Sequence, residues 1–167
     1  RSFGFNKLSA SDFPLINPLA YLITHVGYSK RSAEQAQAYQ ARVCAGLDAS
    51  PVMLKNKLAK NPFNLALAVT TKMLPENTHE TIDLIYNVLK NAKFTDLERI
   101  RNLLQLYLLR EEEYLNQSGH VMAMSAASAS LNSFAWSQES LHGISSLKDF
   151  KDLYGSHDGF VKTLEKI

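Results

Sequence analysis

Cysteine is almost missing from this sequence: Cys44 stands alone among 167 residues, which excludes an internal disulfide and fits a reducing compartment. Its ordinary place is as a small buried hydrophobe. An excess of either charge is missing too. Lys and Arg number 18 and Asp and Glu 16, a net charge of +2, too small to argue for nucleic acid or an anionic membrane surface as partner. No apolar run approaches the ~18 to 20 residues of a spanning helix, so no membrane partner is expected. Nor is there a basic-then-apolar opening of the signal-peptide kind.

Motifs that carry chemistry are equally scarce. None of the five histidines stands in H-x-x-E-H, H-E-x-x-H or a Cys/His ligand pattern. No G-x-S-x-G elbow and no Gly-rich phosphate loop occurs. His79-Glu80 begins an H-E-x-x-H, but the fifth position is Asp83, and Glu80 reads as facing the positive end of a helix dipole. Ser118-Gly119-His120 is a cluster whose adjacency says nothing about triad geometry; His120 is expected to bond within the fold or line an interface. Glu111-Glu112-Glu113 spreads over too much of a helical turn to converge and reads as a solvated face. Seven scattered tyrosines make no nucleic-acid platform. No catalytic and no metal-ligating residue is therefore expected on this chain.

What is present is an ordinary globular composition, 46% apolar and 20% charged, at a length that buries a real core. Pro18 suits a first helical turn, and Leu19, Leu22, Ile23 and Val26 follow at helical spacing before Gly27 as terminator. Ser32 and Gln35 form a capping box for a second helix over 33–45, ended by Gly46. The period then changes. Phe63, Leu65, Leu67, Val69 and Thr71 alternate with small or polar residues, which predicts a strand whose alanine face is closely approached. Leu47–Leu54 is a weaker strand, and Pro51 places it at an edge or bend.

Two helices then start at Asn77/Glu80 and Thr95/Glu98. The first has the stripe Ile82, Ile85, Tyr86, Leu89; the second has Leu97, Ile100, Leu104, Tyr107, Leu108, and continues toward Met122 through a tolerated Gly119. Met122 and Met124 read as core, and the small residues at 123–130 as a tightly packed helix. Ser146 caps a last helix through Leu147, Phe150 and Leu153. The expected class is α+β, an antiparallel sheet covered by several helices. The opening at Arg1 and the helical pattern Lys162–Ile167 without a stop signal predict one domain over 1–167, cut from a longer chain.

One stretch carries more. Ala20-Tyr21-Leu22-Ile23-Thr24-His25, followed by Gly27-Tyr-Ser-Lys-Arg-Ser32, resembles the A-H-x-x-E-H then G-T-x-x-x-S pattern of the insulinase and pitrilysin zinc peptidases. Tyr21 stands where the first zinc histidine would be, Thr24 where the general-base glutamate would be, and His25 alone matches. This degenerate form resembles the third, non-catalytic domain of the presequence-protease branch. Ala45–Ser50 is similar to its G-G-I-x-A-S turn, with alanine in place of the first glycine. Phe94–Arg99 is similar to its F-T-D-x-x-R helix start, and Ser118–Ser125 to its S-G-H-x-x-A-M helix. Ser137–Gly143 fits the stretch that follows. The resemblance covers about Leu15 to Leu153.

The resemblance implies an insulinase/processing-peptidase-like metallohydrolase fold and no cofactor on this chain. Zinc would lie in the N-terminal catalytic half of the same protein, the two halves closing around short unfolded peptides. This domain would form part of the wall opposite the zinc. The implied compartment is the mitochondrial matrix or plastid in a eukaryote and the cytoplasm in a bacterium. The resemblance also implies a further strand after the last helices; its absence from this sequence would leave an open sheet edge and a risk of self-association. A non-proteolytic scaffold of the same fold remains an alternative, and an independent hydrolase would need zinc or an active-site thiol.

Overall fold

The computed structural model describes residues 12–55 and 63–155; the readings for residues 1–11 and 162–167 lie outside them. In chain order the elements are α1 (Phe13–Ile23), α2 (Ala33–Val43), β1 (Leu47–Lys55), β2 (Phe63–Thr71), α3 (Thr78–Asn91), α4 (Leu97–Ser128), α5 (Ser133–His142) and α6 (Ile144–Tyr154). The fold is α+β, a two-stranded antiparallel sheet with six helices among the described residues.

Helix α1 starts five residues earlier than the sequence predicts, because Pro14 rather than Pro18 occupies the first turn, where a missing N–H costs nothing. Pro18 falls inside the helix and withholds one internal bond. The helix stops at Ile23 with Thr24 as its cap, so Gly27 is not the terminator. Gly27 instead lets two backbones meet: a Cβ there would lie 2.6 Å from the Arg31 carbonyl oxygen and 3.1 Å from the Ala33 nitrogen. The Ser32/Gln35 capping box of α2 forms in both directions, at 3.3 and 3.0 Å. Cys44 caps the other end, buried, its Sγ 3.4 Å from the Gln40 carbonyl.

Strand β1 pairs with β2 in the register Leu47 opposite Thr71 through Lys55 opposite Phe63. Leu47, Ala49 and Val69 pack with Val43 of α2 and with Leu84 and Val88 of α3. On the alternate positions Ala66 is buried and Ala68 half-buried, so the alanine face is covered there. Among the described residues β1 is paired on one side only, the edge position that Pro51 predicts.

The expected Asn77/Glu80 cap of α3 does not form. The Asn77 amide donates 3.2 Å to the Val43 carbonyl, and the Thr81 hydroxyl donates 3.3 Å to the same oxygen. Tying α3 to the end of α2 turns Thr81, Leu84 and Val88 inward and leaves Ile82 and Tyr86 of the predicted stripe exposed. Helix α4 is capped by Asp96, one residue after Thr95, through the Arg99 N–H at 3.0 Å. It buries Ile100, Leu103, Leu104 and Tyr107, while Leu97 is exposed. It runs 32 residues with non-helical angles at Ser118 (φ −123°, ψ 26°). The packing expected for 123–130 is not found. Most of those residues are exposed, Met124 at 70%, whereas Met122 is buried.

Gly143, not Ser146, occupies the N-cap of α6. Buried Glu139 supplies the capping oxygen, accepting from the Ser145 N–H at 3.2 Å and its hydroxyl at 3.1 Å. The central core joins Leu15, Leu22 and Val26 to Ile100, Leu104, Tyr107 and Phe150. Two glycines give opposite expectations. Gly27→Ala forces backbone apart and should lower the urea-unfolding free energy by about 1–3 kcal/mol. Gly119→Ala, in a helix with nothing within 4 Å of the added carbon, should raise it by about 0.5–1 kcal/mol. Equal shifts in the two variants contradict the packing described for Gly27.

Candidate functional site

The end of α1 leaves carbonyl oxygens that no further helical turn can satisfy. Leu22 accepts from the backbone N–H groups of His25 (2.8 Å) and Val26 (3.0 Å). The Thr24 carbonyl accepts from the Gln37 amide at 2.9 Å, and that of His25 from the Arg99 guanidinium at 3.2 Å. The Tyr21 carbonyl takes the Thr24 hydroxyl at 3.1 Å and faces His25 Nδ1 at 2.8 Å. With the Thr24 hydroxyl donating to that carbonyl, both neighbours of Nδ1, the Tyr21 oxygen and Thr24 Oγ1 at 2.9 Å, suit a donating N–H. The imidazole thereby serves as a side-chain cap for its own helix.

Above this end lies a groove of about 840 Å³, bounded by α1, β1, α4, α5 and α6. Tyr21, Thr24 and His25 all line it, so the three positions singled out from the sequence share one wall. Asp48, Ala49 and Ser50 of β1 lie along another. Helix α4 contributes Tyr107, Arg110, Glu111, Tyr114, Val121, Met122 and Ser125, a run at helical spacing that continues past the Ser118 bend. The Tyr21 ring stacks on His25 with centroids 4.3 Å apart and meets Tyr107 at 5.8 Å. The Arg110 guanidinium carbon is 4.9 Å from the Tyr21 centroid and 5.7 Å from that of Tyr107. At the far side Asn17 donates to the Leu141 carbonyl and sits 3.3 Å from His142 Nδ1.

Sequence reasoning missed Arg110 and Tyr107 as groove residues. The available signal was their i, i+3 spacing beside Tyr114 on one helix, together with the resemblance that placed Tyr21 near them. The acidic run divides. Glu111 lines the groove, Glu112 pairs with Lys151 at 2.5 Å, and Glu113 accepts from Gln117. His79 is exposed and pairs with Asp83 at 3.4 Å, away from the groove-lining set.

The family model for Peptidase M16 (subfamily C) associated matches residues 2–153. The chain belongs to that family. It is 21% identical over 154 residues to the mitochondrial presequence protease of Drosophila melanogaster, covering 92% of this chain and 15% of that protein. It is 26% identical over 118 residues to the mitochondrial presequence protease of Danio rerio, covering 71% and 11%. With presequence protease 1, chloroplastic/mitochondrial, of Arabidopsis thaliana it shares 23% over 164 residues, 98% of this chain and 14% of the relative. The chain thus spans between a tenth and a sixth of the length of these relatives.

Zinc, which this peptidase family implies, does not fit the Tyr21–Thr24–His25 wall. A catalytic zinc needs three protein donors and an open position. Here the Thr24 hydroxyl and one imidazole nitrogen are spent on the Tyr21 carbonyl, and Arg110 rests its positive charge against the Tyr21 ring. A guanidinium at that place opposes a second cation. No group of three His, Cys, Asp or Glu side chains able to hold a metal occurs among the described residues.

Tyr107 gives a checkable consequence. Burial, with the Glu111 carboxylate adding and Arg110 opposing, holds its phenol well above the ordinary range. The folded chain therefore keeps this proton more tightly than the unfolded chain. The contribution is complete below the unfolded phenol pKa of about 10 and is lost as pH rises past it. Stability measured by urea unfolding should fall less steeply above that pH in Tyr107→Phe than in the unaltered chain; matching slopes would contradict the burial effect.

Proposed function

We propose that residues 1–167 act as one non-catalytic, substrate-enclosing domain of a presequence protease-like zinc metalloendopeptidase that degrades short unfolded peptides. On this reading zinc and the hydrolytic residues belong to the N-terminal catalytic half of the parent protein, which is this domain's partner. Tyr21, Thr24 and His25 are the remnant of a metal motif, now a groove wall. The observation that carries the reading is the state of that wall: in a chain of this family, the imidazole caps its own helix and stacks on Tyr21. Without a glutamate at position 24, nothing there takes a proton from a metal-bound water.

The parent would work in the mitochondrial matrix or plastid of a eukaryote, in keeping with relatives named mitochondrial and chloroplastic, or in the cytoplasm of a bacterium. Self-association of the 167-residue chain through an open sheet edge belongs to the same proposal.

Two measurements test it together. The purified chain, incubated with zinc and dialysed, should retain no stoichiometric metal by mass spectrometry and should leave an unfolded peptide uncut. Retention of one zinc with its loss in His25→Ala would overturn the assignment. In the complete reading frame an upstream H-x-x-E-H is expected; a frame without one favours the non-proteolytic scaffold.

A further inference from the structure

The groove holds an arginine, more than half exposed, with donors to spare. Among the described residues Arg110 donates no hydrogen bond to a protein acceptor, and its ion-pair partner, Glu111 Oε1, stands 3.5 Å from Nη2. The guanidinium is nevertheless held in place, by the rings of Tyr21 and Tyr107 at 4.9 and 5.7 Å. Contact with aromatic rings engages the guanidinium without consuming its N–H donors. The N–H groups not turned to Glu111 lie on a planar fork that matches the two oxygens of a carboxylate.

The other charges of the groove sharpen this. Asp48 on β1 and Glu111 on α4 are its carboxylates. Glu111 stands 3.5 Å from Arg110 and offsets part of its charge, whereas Asp48 lies on β1; a bound carboxylate is attracted by the Arg110 donors that Glu111 leaves open and repelled by Asp48. Repulsion at one point adds to register alongside attraction at another.

We infer that Arg110, supported by Tyr21 and Tyr107, is a carboxylate-recognition residue that fixes the register of an extended peptide in the groove. This rests on the reading of the groove as a peptide-enclosing wall and adds the ligand chemistry. The carboxylate comes either from the peptide's C-terminus or from an Asp or Glu side chain. Tyr21 is here a positioning residue: it acts through Arg110, and it is the residue standing at the first metal-histidine position of the resembled motif.

The test uses the 167-residue chain and a short unstructured peptide of alanine, serine and leucine in three forms: free C-terminus, amidated C-terminus, and amidated with one internal glutamate. Binding is read by isothermal calorimetry, with the fold of each variant checked by circular dichroism. At least one carboxylate form should bind about 10- to 100-fold more tightly than the fully amidated form. Which one does so identifies the source. Arg110→Ala should remove the difference. Arg110→Lys, which keeps the charge and loses the fork, should restore little of it. Tyr21→Leu should lower the ratio of the carboxylate-form affinity to the amidated-form affinity, and an unchanged ratio contradicts its positioning role. Equal affinity for all three forms, or a preference surviving in Arg110→Ala, overturns the inference and leaves the enclosing role standing. Failure of the unaltered chain to bind any form overturns both.

Discussion

The arrangement depends on how the carbonyl oxygens at the end of α1 are satisfied. Leaving one such group buried without a donor costs about 1–3 kcal/mol. The donors come from three places: Gln37 on α2, Arg99 on α4, and the side chains of Thr24 and His25 themselves. Beyond the helix, the backbone N–H of Lys93 reaches the Gly27 carbonyl at 2.8 Å. Helices α2 and α4 thus tie down the backbone at and just past the cap of α1, beside the groove.

Much of this was readable from the residues. Strand Phe63–Thr71, the Ser32/Gln35 box and the long extension of α4 follow from local chemistry, because a period or a cap is decided by near neighbours. The misreadings share a cause. Asn77 has the residue type of a helix cap, but the Val43 carbonyl, 34 positions away, takes its amide. That long-range bond sets which face of α3 turns inward. Small residues at 123–130 suit close packing, yet the neighbour that would pack on them is not found among the described residues. Pro18 misplaced the start of α1 because Pro14 fits the same rule.

The groove was legible only through the resemblance. Tyr21 and Thr24 were marked by what they replace and His25 by its match, and nothing in their own spacing indicated the stack of Tyr21 on His25. Arg110 joins that stack from a distant helix, a pairing that no local pattern encodes. Its presence agrees with the proposal that these positions are the remnant of a metal motif. Without them a positive guanidinium can occupy the neighbourhood that a dication would forbid, and the aromatic ring at position 21 gives it a face to rest on.

The spacing across Ser118 sets a limit on how α4 can vary. Each residue of a helix rotates the next by about 100°, so steps of seven from Tyr107 to Tyr114 to Val121 return to nearly the same face, and the lining stays on one side through the non-helical angles at Ser118. Insertion or deletion of a single residue between Tyr114 and Val121 would therefore turn the distal half's lining outward, however conservative the inserted side chain. Length in this segment is constrained more tightly than identity.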